Sequence, residues 1–302
     1  MSPSVPPHHL VAWFDCHHRD LPWREPGLSG WQILISEIML QQTPVARVIE
    51  PWTAWVNRWP VPSAMAAEPV GEVVRAWGKL GYPRRAMRLH ECARVLASEY
   101  GDVVPDDVET LLDLPGIGDY TARAVACFAY GRRVPVVDVN VRRVIARAVH
   151  GRQHPGNPSR RDLADAEALL PRSPDGSPAP EAPRFSAALM ELGAVVCTAR
   201  EARCGRCPLE ATCTWVASGR PEHAGPARRT QKFEGTDRQA RGRLLDVLRA
   251  TSGPVEGAAF DVAWERDPGQ RARALDSLLV DGLVEVTDDG LFHLAGEAPS
   301  DR

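Results

Sequence analysis

Residues 114–122 read LPGIGDYTA, with two glycines two apart between segments of helical periodicity. VETLLDL (108–114) before the turn and YTARAVACFAYG (120–131) after it set apolar side chains three and four apart. A helix ending near Leu112 and another starting near Tyr120 leave Gly116 and Gly118 to make the turn. Glycine permits positive φ and the close approach of another group. The second helix opens with N–H groups that have no partner within it, so this turn can hold a phosphate.

An ordinary turn between two helices accounts for one glycine. The run Leu-Pro-Gly-Ile-Gly followed by Thr-Ala points instead to a helix-hairpin-helix, a clamp that grips a nucleic-acid backbone without reading its sequence. Helical patterns dominate elsewhere as well: VARVIEPWTAWVNRW (45–59), VGEVVRAWGKLGY (70–82), AMRLHECARVLASEY (86–100), VRRVIARAVHG (141–151) and RFSAALMELGAVVC (184–197). No strand alternation of any length precedes the C-terminal end, and no internal repeat is present. PRSPDGSPAPEAP (171–183) reads as a surface loop, and residues 218–236 as a linker. Beyond it come three helical segments, RQARGRLLDVLRA, AAFDVAW and QRARALDSLLVDG, and an alternating hairpin, LVEVTDDGLFHL, with Asp-Gly at its turn. The expected fold is mainly α, closing in a small winged-helix-like module over 237–302.

The 302 residues, 44% hydrophobic and 25% charged, suit a globular protein of about two domains. No run of about 18 apolar residues occurs and the N-terminus lacks the pattern of a signal peptide, so a cytoplasmic protein at the bacterial nucleoid, without a membrane partner, is expected. The net charge of −3 is unevenly spread: residues 1–236 hold 28 basic against 26 acidic residues, and 237–302 hold 8 against 13. Only Lys79 and Lys232 are lysines, a bias that reads as genomic before functional. Arg84, Arg85 and Arg88, and again Arg142, Arg143 and Arg147, form basic clusters that are either solvated helix faces or nucleic-acid contacts.

Two further patterns bear on chemistry. In ILISEIMLQQ (33–42), Glu37 stands among Ile33, Leu34, Ile35, Ile38, Met39 and Leu40, which with Trp31 point in every direction around a helix. A carboxylate on a buried helix is either paired or used, because burying it ionised and alone is costly. In CTAREARCGRCPLEATC, Cys197, Cys204, Cys207 and Cys213 are separated by six, two and five residues. Soft four-sulfur ligation means zinc or an iron–sulfur cluster, and the spacing is not the two separated pairs of a common zinc finger. Cys16, Cys92 and Cys127 read as small buried hydrophobes.

These cysteines, the LPGIG hairpin and the aspartate of VVDVNVRRV resemble the helix-hairpin-helix DNA glycosylases of the endonuclease III superfamily. RDLPWR (19–24), SEIMLQQT (36–43), GKLGY (78–82), VDVNVRRV and ALMELGAVVC resemble its MutY-type adenine DNA glycosylases, over roughly residues 8–216. The resemblance implies a single 4Fe-4S cluster on Cys197, Cys204, Cys207 and Cys213. Its domain plan is an N-terminal segment (1–28) packing with the cluster domain, a helical barrel (29–137) containing the hairpin, the cluster domain (138–217), the linker and the C-terminal module. Strand-cutting members carry a lysine nucleophile two residues after the second hairpin glycine. Tyr120 stands there, so base removal alone is implied.

By the same resemblance Glu37 is the acid that protonates adenine, and Asp138 the carboxylate that stabilises the oxocarbenium-like sugar, the two-carboxylate logic of retaining glycosidases. Asp138 also begins a helix, so a plain N-cap is its simpler reading. Tyr120 and Asn140 match positions beside these carboxylates. Arg19, Leu21, Trp23, Arg24, Leu40 and Glu191 match the pocket for the extruded adenine, and Gln42 and Tyr82 the side chains that wedge into the duplex. Pro83 and Val139 depart from the family's usual residues, and Val139 is expected to narrow the pocket rim. The implied substrate is double-stranded DNA with adenine opposite 8-oxoguanine or guanine, handled by a monomer. A pyrimidine-lesion glycosylase with lyase activity and a non-catalytic cluster-bearing regulator are the rival readings. The module at 237–302 is too small for the Nudix-like domain many relatives carry. Arg238, Arg241 and Arg249 would share a helix face, with Arg243 off it, and the module is expected to help tell 8-oxoguanine from guanine.

Overall fold

The computed structural model describes residues 5–222 and 233–297. Apart from isolated bridges, the described chain is helical save for one antiparallel pair, Val284–Val286 with Phe292–Leu294, in which Val284 faces Leu294 and Val286 faces Phe292. The mainly α fold is therefore as expected. Most of the expected linker lies outside the described residues. Two compact units divide the rest: residues 5–33, 105–112 and 117–222 form the first, and residues 34–104, 113–116 and 233–297 the second.

In the first unit the apolar periodicities converge. Leu10 and Phe14 of the Pro7–His17 helix, Val141, Val144, Ile145 and Ala148 of the Val139–Ala148 helix, and Phe185, Ala188, Leu189 and Leu192 of the Ala182–Val195 helix make one buried cluster. Burying each large apolar side chain contributes about 1.5–3 kcal/mol before chain entropy is subtracted. Leu209, Cys213 and Trp215 of the cysteine segment join the same cluster. Gly193 sets the helix spacing, since a Cβ there would stand 2.7 Å from the Asn140 Cβ and 2.8 Å from its carbonyl oxygen. The unit does not divide at residue 138. Ala124, Cys127 and Val136 are buried against Met190, so the Asp119–Tyr130 helix shares a core with residues far along the chain.

The second unit is built around tryptophan. Trp55 meets Trp59 and Trp77 edge to face, with centroids 4.9 and 5.4 Å apart, and Met65, Val73, Val74, Leu89 and Leu96 are buried. The C-terminal segment has the three helices expected, Asp237–Arg249, Ala258–Ala263 and Pro268–Val280, before the hairpin, whose turn places Gly290 at φ 82° as Asp-Gly suggests. Leu244, Leu248, Phe260, Leu278, Leu283 and Leu294 form its interior.

This segment is packed onto the Val70–Trp77 helix, and one arginine makes most of the polar contacts. Arg75 Nη1 donates to the carbonyls of Leu248, Arg249 and Thr251 at 2.8, 2.7 and 2.9 Å, at the C-terminal end of a helix where carbonyls lack intrahelical donors. Its Nη2 reaches Glu297 Oε1 at 2.5 Å and its Nε reaches Glu72 Oε1 at 3.0 Å. Gly71 permits the approach, because a Cβ there would lie 2.9 Å from the Ala295 carbonyl oxygen. Replacing Arg75 by methionine leaves those acceptors without their donor and should destabilise the protein by on the order of 3 kcal/mol. Thermal unfolding should show a lower Tm, and limited proteolysis faster cleavage within 233–297; an unaltered Tm would mean that apolar packing alone holds the segment in place.

Candidate active site

Glu37 lies on the Gly30–Leu40 helix, 6% exposed, with Leu34, Ile35 and Met39 fully buried beside it. Leu40 is half-buried, and the chain then leaves the helix through Gln42, which is exposed with φ 55°. Tyr82, 46% exposed, has φ 48°. Left-handed backbone at residues other than glycine is strained and persists only where neighbours fix it.

Arg85 fixes both. Its Nη1 donates to the carbonyls of Ile38, Met39 and Gln41 at 2.8, 3.2 and 2.6 Å, and its Nη2 to Thr43 Oγ1 and the carbonyls of Leu80 and Gly81 at 3.1, 3.3 and 2.9 Å. The guanidinium also lies 4.8 Å from the Trp77 ring centroid and 5.7 Å from that of Tyr82. Burial lowers its pKa to about 10, so it stays charged at neutral pH. The basic cluster read from the sequence is thus divided. Arg85 is an internal tie, Arg84 pairs with Asp281 at 3.3 Å, and Arg88 packs its stem where a Gly116 Cβ would come within 2.7 Å. Gly116 has φ 77°, as the turn requires, and Gly118 caps the Asp119–Tyr130 helix.

In the first unit Asp138 is the N-cap of the Val139–Ala148 helix. Its Oδ1 accepts from the backbone N–H groups of Asn140 and Val141 at 2.9 and 2.7 Å, and its Oδ2 from Asn140 Nδ2 at 2.6 Å. Burial nevertheless raises the Asp138 pKa, outweighing these bonds and the nearby Arg143 charge. Arg143 carries the network onward, donating to Asn140 Oδ1, Gly193 O and Cys197 O at 2.7, 2.6 and 2.7 Å. Tyr120 is half-buried over the Ala124 and Cys127 cluster, and Val139 is 67% exposed.

The expected pocket arginines are tied to each other's partner. Glu191, 1% exposed, takes Arg19 Nε and Nη2 at 2.8 Å each and Arg24 Nη2 at 2.8 Å. The Arg19 backbone N–H adds a bond at 2.9 Å, and Arg24 Nη1 returns one to the Arg19 carbonyl at 3.1 Å. Burial pushes the Glu191 carboxyl up, but the two guanidinium groups prevail and hold it at about 2. Leu21 and Trp23, between the two arginines in the chain, are buried at 5% and 8% exposure.

The four cysteines follow in one segment packed on the first unit's core. The Cys207 thiol is pushed up to about 12 by burial and by the charges the other three would carry. Arg147 donates to Cys197 Sγ at 3.3 Å and to the Thr198 carbonyl at 2.8 Å. Four soft donors, of which Cys197 touches the buried Arg147, suit an iron–sulfur group in kind, although among the described residues no three His, Cys, Asp or Glu side chains converge as a metal-holding set. Arg143 and Arg147 are 8% and 3% exposed and Arg142 pairs with Asp162 at 2.9 Å, so the second basic cluster is neither a solvated face nor a nucleic-acid contact. Arg142 is taken by a carboxylate, and Arg143 and Arg147 mainly by backbone carbonyls. The signal was available in part, since 143 and 147 sit four apart next to the apolar face of 141, 144, 145 and 148. For Arg85 no such signal exists.

The family model for HhH-GPD superfamily base excision DNA repair proteins matches residues 35–164. Over 99% of its length the chain is 64% identical to 99% of the adenine DNA glycosylase of Mycolicibacterium smegmatis. It belongs to the MutY-type adenine DNA glycosylases. The human adenine DNA glycosylase is 39% identical over 68% of the chain, which corresponds to 38% of the human protein. Among solved structures, a thermostable thymine-DNA glycosylase shares the fold with a TM-score of 0.62 and 29% identity, covering 70% of this chain and 95% of its own. As an adenine DNA glycosylase the protein is a hydrolase of base excision repair.

In this glycosylase the Glu191 trident should behave as a stability element with a defined pH window. Because its folded pKa is depressed, its contribution is complete above about pH 4.5 and fades as pH falls through about 2. Glu191→Gln should lose on the order of 3–5 kcal/mol at neutral pH, the cost of breaking a buried ion pair. Denaturant unfolding of both proteins should show the gap closing on acidification between those limits; a gap independent of pH would mean the charge is not what Glu191 supplies.

Proposed function

We propose that this adenine DNA glycosylase acts on double-stranded DNA, as a monomer, removing adenine opposite 8-oxoguanine and opposite guanine by extruding the base and cleaving only its N-glycosidic bond. The observation that carries the reading is Glu37, a carboxylic acid buried in the most apolar helix of its unit. Adenine leaves readily only when protonated, and an acid kept from water can give its proton to N7. As the C1′–N9 bond breaks, the sugar becomes oxocarbenium-like. Asp138, oriented by Asn140 and the helix N-terminus, supplies negative charge to it. Water then adds at C1′, its released proton restores the Glu37 acid, and an abasic site is left. With tyrosine at position 120 and no lysine there, nothing on the first turn of that helix can form a Schiff base, which supports base removal without strand cleavage. Gln42 and Tyr82, exposed on strained backbone and fastened by Arg85, suit the wedge that fills the space of the extruded base.

Cys197, Cys204, Cys207 and Cys213 would hold the 4Fe-4S cluster. When bound, it supplies a structural fastening for the segment rather than a reaction step. The chain from Cys197 through Arg143 to Asn140 and Asp138 then couples that fastening to the second carboxylate.

Incubation with duplex containing adenine opposite 8-oxoguanine, followed by alkali, should give a cut at the adenine, and no cut before alkali. Glu37→Gln should abolish excision while changing duplex affinity by less than about tenfold. Asp138→Asn should slow excision by several orders of magnitude. If the second variant only lowers Tm, the N-cap is its whole role. Protein prepared anaerobically should be brown and hold about four irons, and Cys204→Ser should lose both colour and DNA binding; a colourless protein with one zinc would overturn the cluster.

A further inference from the structure

Val139 contributes little to holding the fold. It is the first residue of the Val139–Ala148 helix and stays exposed, between Val137, which packs on the first unit's core, and Val141, which is fully buried within it. An isopropyl group left in water adds nothing to the core, and a branched side chain is a weaker helix former than alanine. Its neighbour is Asp138, whose two oxygens are held by three hydrogen bonds.

The side chain is stiff as well as exposed. In a helix the Cα–Cβ bonds tilt toward the N-terminus, so the branch of the first residue projects toward the helix start, the end that Asp138 caps. A branched side chain in a helix has one strongly preferred rotamer. The Val139 carbonyl accepts from Arg143 Nη1 at 3.4 Å, which steadies the peptide beneath it. A group that comes up to the Asp138 carboxylate at that end therefore meets an isopropyl that does not swing aside.

Substrate stereochemistry says which group that is. In a β-nucleoside the base leaves from one face of the sugar, and a carboxylate that stabilises C1′ without obstructing the departure stands on the other. A ribonucleotide carries its 2′-hydroxyl on that same face, on the carbon next to C1′, where a deoxyribonucleotide has hydrogen. We infer that Val139 is a specificity-determining residue, packed against C2′ of the extruded nucleotide, that excludes a 2′-hydroxyl and so makes the enzyme pass over a ribonucleotide in the same mispair. This rests on Asp138 being the carboxylate that faces C1′. An apolar contact rejects an added hydroxyl by about a hundredfold at most, through lost space and a hydrogen bond the group cannot make.

The test uses adenosine and arabinoadenosine, which carry the same hydroxyl on opposite faces of the sugar and so withdraw electrons from C1′ alike. Each is placed opposite 8-oxoguanine in one duplex sequence, and equilibrium binding and single-turnover excision are measured for the full-length protein, with deoxyadenosine alongside. Wild type should bind the arabino duplex about tenfold more tightly than the ribo duplex. Val139→Gly, and Val139→Ala, which keeps helix propensity, should each bring the two close to parity. The readout is a ratio within one protein, so a change in overall activity or stability cancels. Equal binding of the two duplexes by wild type would overturn the gate, and so would a preference that survives in both variants. Asp138→Asn separates the inference from its premise. Undiminished excision of deoxyadenosine in that variant would mean that Asp138 does not face the sugar, and the gate falls with it. Slowed excision there, with the preference unaltered in the Val139 variants, would leave Asp138 in its role and remove Val139 from its own.

Discussion

Six acceptor atoms lie around the Arg85 guanidinium, and they come from two segments of chain, 38–43 and 80–81, that Thr43 and Arg47 also join through the Leu80 and Lys79 carbonyls. Three are carbonyls at the end of the Glu37 helix, where the helix dipole gathers partial negative charge and backbone acceptors lack donors. The others belong to Thr43 and the turn before Tyr82. No carboxylate ion pair with Arg85 occurs among the described residues, so carbonyl dipoles carry the compensation. A carboxylate could satisfy the charge from one side only. The dipoles meet it along both Nη groups, leaving Nε buried without a hydrogen bond among the described residues, and in doing so fix the positions of the groups that bear them. The buried acid, Gln42 and Tyr82 are thereby placed by one side chain that takes no part in the chemistry.

The same device recurs in the first unit. Arg143 collects Asn140, Gly193 and the Cys197 carbonyl, and Arg147 collects the Cys197 sulfur and Thr198. Arg75 does so for the C-terminal module. In each case an arginine sits where a chain segment ends or turns and its carbonyls need donors. The planar fork with five N–H groups meets that need in a way lysine could not. An arginine-rich composition that looks like genomic drift is therefore, at these positions, the fold's means of closing irregular backbone.

Two carboxylates in this glycosylase are in contrasting surroundings. Glu191 is held ionised by Arg19 and Arg24, with its pKa at about 2, and serves to bind the N-terminal loop to a core helix. Asp138 has its pKa raised although it accepts three hydrogen bonds, because burial outweighs them. In the role proposed for Asp138, such a carboxylate meets the positive charge of an oxocarbenium-like sugar. Oδ1 caps the helix and Oδ2 takes the Asn140 amide, so both oxygens are held in place.

Much of this was legible in the sequence. The hairpin glycines, the apolar ring around Glu37, the aspartate opening its helix, the four-cysteine segment and the three helices and hairpin of the C-terminal module all rest on local pattern: helical period, turn chemistry and spacing of like donors. Family motifs then gave the enzyme class. What the sequence could not give was the destination of the arginines. Arg85, Arg143 and Arg147 read as surface charge because a guanidinium's partners are mostly backbone carbonyls, and carbonyls are present at every residue and carry no sequence signal. The strained φ of Gln42 and Tyr82, the closure of Glu191 on two arginines, and the seating of the C-terminal module on Arg75 were likewise decided by which backbone ends packing brought within reach of a side chain. Local pattern fixes which elements form; only three-dimensional packing fixes which of their exposed polar ends must be satisfied, and by whom.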